Sequence, residues 1–211
     1  MDYTGKELRR ALLKSVATEW HRPVHSRDDA DRVTEYFRGI GWGWAIDEHC
    51  PGDTYDESIR QSTDAPLDWC GIGPAWCAVH RVGFHLEAGQ CVPVRLRPAI
   101  AQHVLPSTYR ANSPEHWSRT EADPPAQVAP EDIEPGDLVT VITRGGKSYG
   151  DHFVVARRSP KDGELPTYEF NAYGELGDGR TGRGVVGKTR DLDDVRRVYR
   201  LDERHFEKGK I

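Results

Sequence analysis

Apolar residues recur at helical steps along the first third of the chain and at every second position along the last third. Behind Thr4 and Glu7, spaced as a capping box, Leu8, Leu12, Val16 and Trp20 repeat at i+4 and predict an amphipathic helix over 5–20. Ser26 begins a second pattern, with Ala30, Val33 and Phe37 on one face and Gly39 at the position of a left-handed stop. A third helix is predicted over 72–86, where Trp76, Val79, Val82 and Leu86 return at three- and four-residue steps before Gly89. Between the second and third, residues 39–66 mix Gly, Asp and aromatic residues without a period, which predicts a shaped loop whose Trp42 and Trp44 are read as core, with a substrate platform as the alternative. Residues 98–105 read as a short further helix opened by Pro98, and six prolines from Pro106 to Pro135 then mark a long irregular connection.

Past Pro135 the pattern turns to strands, predicted over 138–142, 153–156, 167–172, 184–188 and 195–201 and separated by Gly, Pro and Asp. Helices first and strands afterwards predict an α+β fold with an antiparallel sheet of about five strands. A turn centred on Lys161 and Asp162 sets a register in which His152 faces Asn171 and Val154 faces Glu169, and alternation puts all four on one face.

Charge and composition narrow the function. Lys and Arg number 29 against 34 Asp and Glu, a net charge of −5, and the basic residues are scattered, so the electrostatic footprint of a nucleic-acid binder is missing. No uncharged stretch exceeds the 12 residues of 69–80, short of the roughly 20 that a membrane span requires. Lys6, Arg9, Arg10 and Lys14 interrupt the first helix before it can form the apolar core of a Sec signal peptide, so the expected location is the cytoplasm as synthesised. Cysteines at 50, 70, 77 and 91 are too few and too irregular for a disulfide framework; free thiols, catalytic or buried, are expected, with one disulfide left open.

The chemistry centres on Cys70. A thiol at the start of a helix meets free N–H groups and the positive end of the helix dipole, which stabilise a thiolate. Gly71 beside it lets a substrate approach the backbone closely and offers an N–H to an oxyanion. A cysteine hydrolase also needs a base and a group that orients the base; His152, with Asn171 or Glu169 across the sheet, fits those roles.

These residues, with Glu134-Pro135-Gly136-Asp137-Leu138 opening a strand, Gly150-Asp151-His152-Phe153-Val154-Val155 on the next, Glu169-Phe170-Asn171 on the third and Val195-Arg196-Arg197-Val198-Tyr199-Arg200 closing the sheet, resemble the NlpC and CHAP group of papain-like cysteine amidases and peptidases. Many of that group cut peptidoglycan. The resemblance runs over roughly 66–201. It implies a papain-like hydrolase domain over 66–211, carrying a helical extension over 1–65. In the group's mechanism the cysteine attacks an amide carbonyl, the histidine takes its proton and later protonates the leaving amine, and a Glu or Asn orients the histidine. Carried over, these roles fall to Cys70, His152, and Asn171 or Glu169, with Trp69 and Asp151 as expected substrate contacts. The implied substrate is the peptide part of peptidoglycan. Without a signal peptide, the implied settings are an injected antibacterial effector or a phage lysis protein, with an inhibitor or immunity protein as a partner.

Two departures and several alternatives accompany this reading. Pro74 falls four residues after Cys70, where the helix should be running, and Ala75-Trp76-Cys77-Ala78 offers Cys77 as a competing nucleophile. Cys77, His80, His49 and Cys50 could gather around zinc, and Asp53, Asp56 and Glu57 around calcium, but neither spacing matches a strong metal pattern; no metal and no cofactor are expected. A hydrolase of a cytoplasmic protein or small amide uses the same residues. A binding module of the same fold would leave Cys70 buried and use the Trp-rich segment at 42–44 as a contact surface.

Overall fold

In the computed structural model, which describes residues 4–62, 67–83, 125–142 and 152–203, Thr4 opens the first helix, α1 (Gly5–His21), through the expected capping box. The Thr4 N–H donates to Glu7 Oε2 at 2.8 Å and the Glu7 N–H returns to Thr4 Oγ1. The second helix, α2 (Ala30–Gly39), also stands where its period predicted. The stretch expected as a loop instead holds two short helices, α3 (Gly43–His49) and α4 (Glu57–Ser62), joined by a 3₁₀ turn over Pro51–Asp53. Helices of two turns carry too few residues to display a period, and each is held by tertiary contacts. Trp42, fully buried, and the half-buried Trp44 do join the core.

The helix after Cys70, α5 (Ile72–Val82), resolves the difficulty with proline. Gly71 is its N-cap, so Pro74 is the third helical residue, where the N–H would lack an intrahelical partner in any case. The helix ends earlier than expected, at Gly83, whose φ of 71° is the left-handed stop. The expected continuation to 86 and the helix over 98–105 lie outside the described residues.

Among the described residues the sheet has six antiparallel strands, one more than expected. They are β1 (Ala126–Val128), β2 (Leu138–Val141), β3 (His152–Ala156), β4 (Glu164–Glu175), β5 (Thr181–Asp191) and β6 (Val195–Arg200), in the order β1-β6-β2-β3-β4-β5. The added strand, β1, is three residues long and sits inside the proline-rich connection, too short to show alternation. The β3–β4 register is the expected one, with Val154 opposite Glu169. β4 and β5 run on past β3 as a long two-stranded hairpin.

Alternation sorts the sheet residues into two packed faces. Leu138, Phe153, Val155, Tyr168, Phe170, Val185 and Tyr199 share one core with all the helices up to α5. Val139, Val141, Val154, Ala156, Leu165 and Val198 form a second cluster on the other face. The two layers meet most closely at Gly73, in the first turn of α5, where an added Cβ would lie 2.0 Å from Phe170 Cδ1. Neither helix backbone nor a fully buried ring can yield that distance. Gly73→Ala is therefore expected to lower stability by about 1–3 kcal/mol, read as a fall in denaturant midpoint; an unchanged midpoint would mean that α5 and β4 are not packed this tightly.

The Glu134–Asp137 turn fastens α1 to the sheet. Gly136, at φ 89°, lies so close to Arg9 that a Cβ would sit 2.4 Å from the Arg9 carbonyl oxygen. Arg9 donates to Glu134 at 2.7 Å and to the Leu201 carbonyl at 2.9 Å, and the buried Asp137 accepts from Arg200 at 2.7 Å. Among the described residues no helix is long and apolar enough to cross a membrane.

Candidate active site

Cys70 sits one residue before the N-cap of α5, buried with 7% of its surface exposed. The backbone N–H groups of Phe153, Gly71 and Cys70 itself donate toward its sulfur. The Phe153 donor brings the thiol to the beginning of β3, next in the chain to His152. Burial, followed by the nearby Asp68 carboxylate, pushes the thiol up to about 12, and the three donors offset only part of that. The resting group is therefore a neutral thiol held by anion-ready donors, not the thiolate that a helix start alone would predict.

His152 is the first residue of β3 and projects on the face of Val154, away from the helices, so its ring meets Glu169 and not the Cys70 thiol on the other layer. Its Nε2 lies 3.2 Å from Glu169 Oε2, within reach of the carboxylate although off the line of an ideal hydrogen bond. Glu169 has no exposed surface. It accepts from Arg190 Nε and Nη2, both at 2.6 Å, and from Thr167 Oγ1 at 3.0 Å, with Lys188 Nζ at 3.8 Å. Burial opposes its charge, yet the bonds to His152 and Arg190 hold its carboxyl below the usual carboxylate range. Glu169 thus remains ionised wherever an imidazole titrates. With Nε2 turned to Glu169, Nδ1 is the ring nitrogen that faces away from the carboxylate.

Asn171 does not take the place across from His152 that alternation assigned it. Its backbone adopts φ 55°, and the β4–β5 register shifts between Glu169 and Ala172, so a bulge redirects the side chain. Asn171 Nδ2 donates to Asp68 Oδ1 at 2.9 Å, while its Oδ1 is buried without a hydrogen-bond partner. Of the two expected orienting residues, Glu169 is the one beside His152. Asp68 also accepts from Arg60 at 3.1 Å, and Arg60 bonds the buried Glu57, so α4 braces the segment that carries Cys70. Trp69, expected at the substrate, has no exposed surface; it packs against Tyr36, Tyr55 and Phe170 and is a core residue. Gly71, the expected oxyanion donor, keeps its N–H at the thiol. Asp151 lies outside the described residues.

Cys77 occupies a different environment. Fully buried and pushed up to about 12 by burial, it meets the Ser15 hydroxyl of α1 and lies near Glu19 and Arg32. His80 bonds the Gly39 carbonyl at 2.9 Å and lies against Trp76, so it does not turn to Cys77. Asp56 accepts from Ser58 at the start of α4, and Glu57 is engaged by Tyr55 and Arg60. Among the described residues, no three His, Cys, Asp or Glu side chains gather as metal ligands. Cys50, Cys70 and Cys77 are free thiols; Cys91 lies outside the described residues.

Sequence reasoning missed Arg190 and Lys188. Both are on β5, at alternate positions on the Glu169 side of the sheet; the signal was a pair of cations two residues apart, although the strand predicted over 184–188 stopped short of Arg190. No protein-family model, curated protein or solved structure matches this chain.

Proposed function

We propose that the chain is a cysteine amidase or endopeptidase of papain-like type, acting through a thioester at Cys70. The observation that carries this reading is the meeting of the Cys70 sulfur with the Phe153 N–H at the start of β3, where the adjacent His152 is paired with the buried Glu169. Because the resting thiol is neutral, His152 works as a general base. In this reading the His152 ring must turn about its Cα–Cβ bond from the Val154 face toward the thiol; Nδ1 then takes the Sγ proton as sulfur attacks the amide carbonyl carbon, and the carbonyl electron pair moves to oxygen, toward the N–H groups of Cys70 and Gly71. Collapse of that oxyanion breaks the C–N bond, and the imidazolium gives its proton to the leaving amine. Water, deprotonated by the same nitrogen, then cleaves the thioester to a carboxylic acid and restores the thiol.

The substrate reading is the peptide part of peptidoglycan, on the resemblance in the sequence. Its test is mass spectrometry of soluble fragments released from purified bacterial sacculi by the protein, with Cys70→Ala as control. Fragments with a newly freed peptide end, absent from the control, are expected; no release by the active chain would remove the cell-wall substrate. In the same assay Asn171→Ala is expected to retain more activity than Glu169→Ala, since Asn171 bonds Asp68 and not His152. The reverse order would restore Asn171 as the orienting residue.

A second reading, a binding module without catalysis, is favoured by one observation, the burial that raises the Cys70 thiol. Iodoacetamide labelling of the folded protein separates the two. A hydrolase must let a small electrophile reach Cys70, with a rate that climbs as pH rises toward the thiol value, whereas a thiol unlabelled at pH 9 and free only after unfolding would favour the module.

A further inference from the structure

Glu169 is surrounded by more positive charge than one carboxylate balances. On β3 stands His152, opposite the uncharged Val141 of β2; on β5, Arg190 clamps both carboxylate oxygens and Lys188 lies 3.8 Å away. Asp194, beyond the end of β5, and Arg183, farther along it, act on Arg190 and Lys188 at longer range, and Cys70 reaches the start of β3 from the other layer. A lone carboxylate at this distance would favour the imidazolium. Here the guanidinium has already taken up that charge, and a proton added to His152 would join two cations around one anion.

We propose that Arg190 is a positioning residue that locks Glu169 in place and, by offsetting its charge, weakens the pull of that carboxylate on the His152 ring. The fork of Arg190 suits this task because two parallel N–H bonds fix both the orientation of the carboxylate and the oxygen that meets the imidazole. Lys188 adds charge without that geometry. A carboxylate held and offset in this way orients the imidazole without dominating its charge, which suits a group that must both take and return a proton. The catalytic meaning of this balance rests on the hydrolase reading above; the balance itself does not.

The test is an NMR titration of the His152 ring in the full chain without substrate, so that its outcome is independent of any turnover. In Arg190→Gln the His152 pKa is expected to rise by about one unit, and in Arg190→Lys to stay closer to the parent value. In Glu169→Gln, where Arg190 is left uncompensated, it is expected to fall. Should the buried carboxylate in Arg190→Gln prevent folding, the Glu169→Gln and Arg190→Gln double variant replaces the ion pair by neutral partners. That double variant is expected to titrate about one unit above Glu169→Gln. Equal His152 values with and without Arg190, in either comparison, would overturn the proposal. If the parent protein hydrolyses an amide, the acid limb of its kcat/KM profile should move up with the NMR value in Arg190→Gln, lowering activity at pH 6; an unmoved limb would separate Arg190 from catalysis. An inactive parent with shifted titrations would defeat the hydrolase reading and leave the charge balance standing.

Discussion

Cys70→Ala is expected to lower kcat by about 10⁴-fold or more, because an enzyme that works through a covalent intermediate loses nearly all its rate with its nucleophile. Cys77→Ala is expected to stay within about threefold of the parent. The contrast follows from position. Cys70 precedes the N-cap of α5 and receives N–H groups from both α5 and β3, whereas Cys77 lies two turns into the helix beside Ser15, with no exposed surface. A substrate carbonyl can be delivered to the first position only by a small opening, and to the second only by separating α1 from α5. Rates of amide cleavage by the two variants decide the matter. Activity retained in Cys70→Ala and lost in Cys77→Ala would reverse the assignment.

The largest loss of stability is expected from Glu19→Ala, about 3–5 kcal/mol, since it removes one partner of a buried ion pair and strands the other. Glu19 is 1% exposed and Arg32 6%. Arg32 donates to both oxygens of Glu19, at 2.9 and 2.5 Å, and the Tyr36 hydroxyl adds a third bond at 2.5 Å. The guanidinium lies 4.0 Å from the centroid of Trp76, on α5, so three helices meet in this one cluster. Without Glu19, Arg32 keeps only the exposed Glu35 on its own helix. For a chain of this size the loss corresponds to a fall in melting temperature of roughly 10 °C. A fall below about 2 °C would show that Arg32 finds another anion or water when Glu19 is gone.

Much of this architecture was legible because local rules and tertiary packing agree. The capping box of Thr4 and Glu7, the 3.6-residue stripe of α1, and the turn at Lys161 and Asp162 that set Val154 opposite Glu169 all depend on neighbours in the chain. The parts that stayed hidden depend on distant partners. Two-turn helices such as α4 are fixed by bonds from Glu57 and Arg60 to Tyr55 and Asp68, which no periodicity displays. The bulge at Asn171 depends on a left-handed backbone that Asn tolerates but does not announce. It puts Glu169 and not Asn171 beside His152, two residues that the sequence had left level. Arg190 stayed unread because its meaning comes from a residue 21 positions earlier, buried on the adjacent strand.

The bond from Arg9 to the Leu201 carbonyl spans 192 positions. On a ribosome, which delivers the amino-terminal end first, α1 can form its turns and meet α2 and α5 early, but its seat on the Glu134–Asp137 turn is complete only when β6 has emerged, because Arg200 bonds Asp137. Closing so long a loop is slow, whereas the partners of α1 in α2 and α5, met through Glu19 and Ser15, come off the ribosome early. One arginine thus ties the first helix to the last strand, and this clasp can close only when both ends of the described fold have been made.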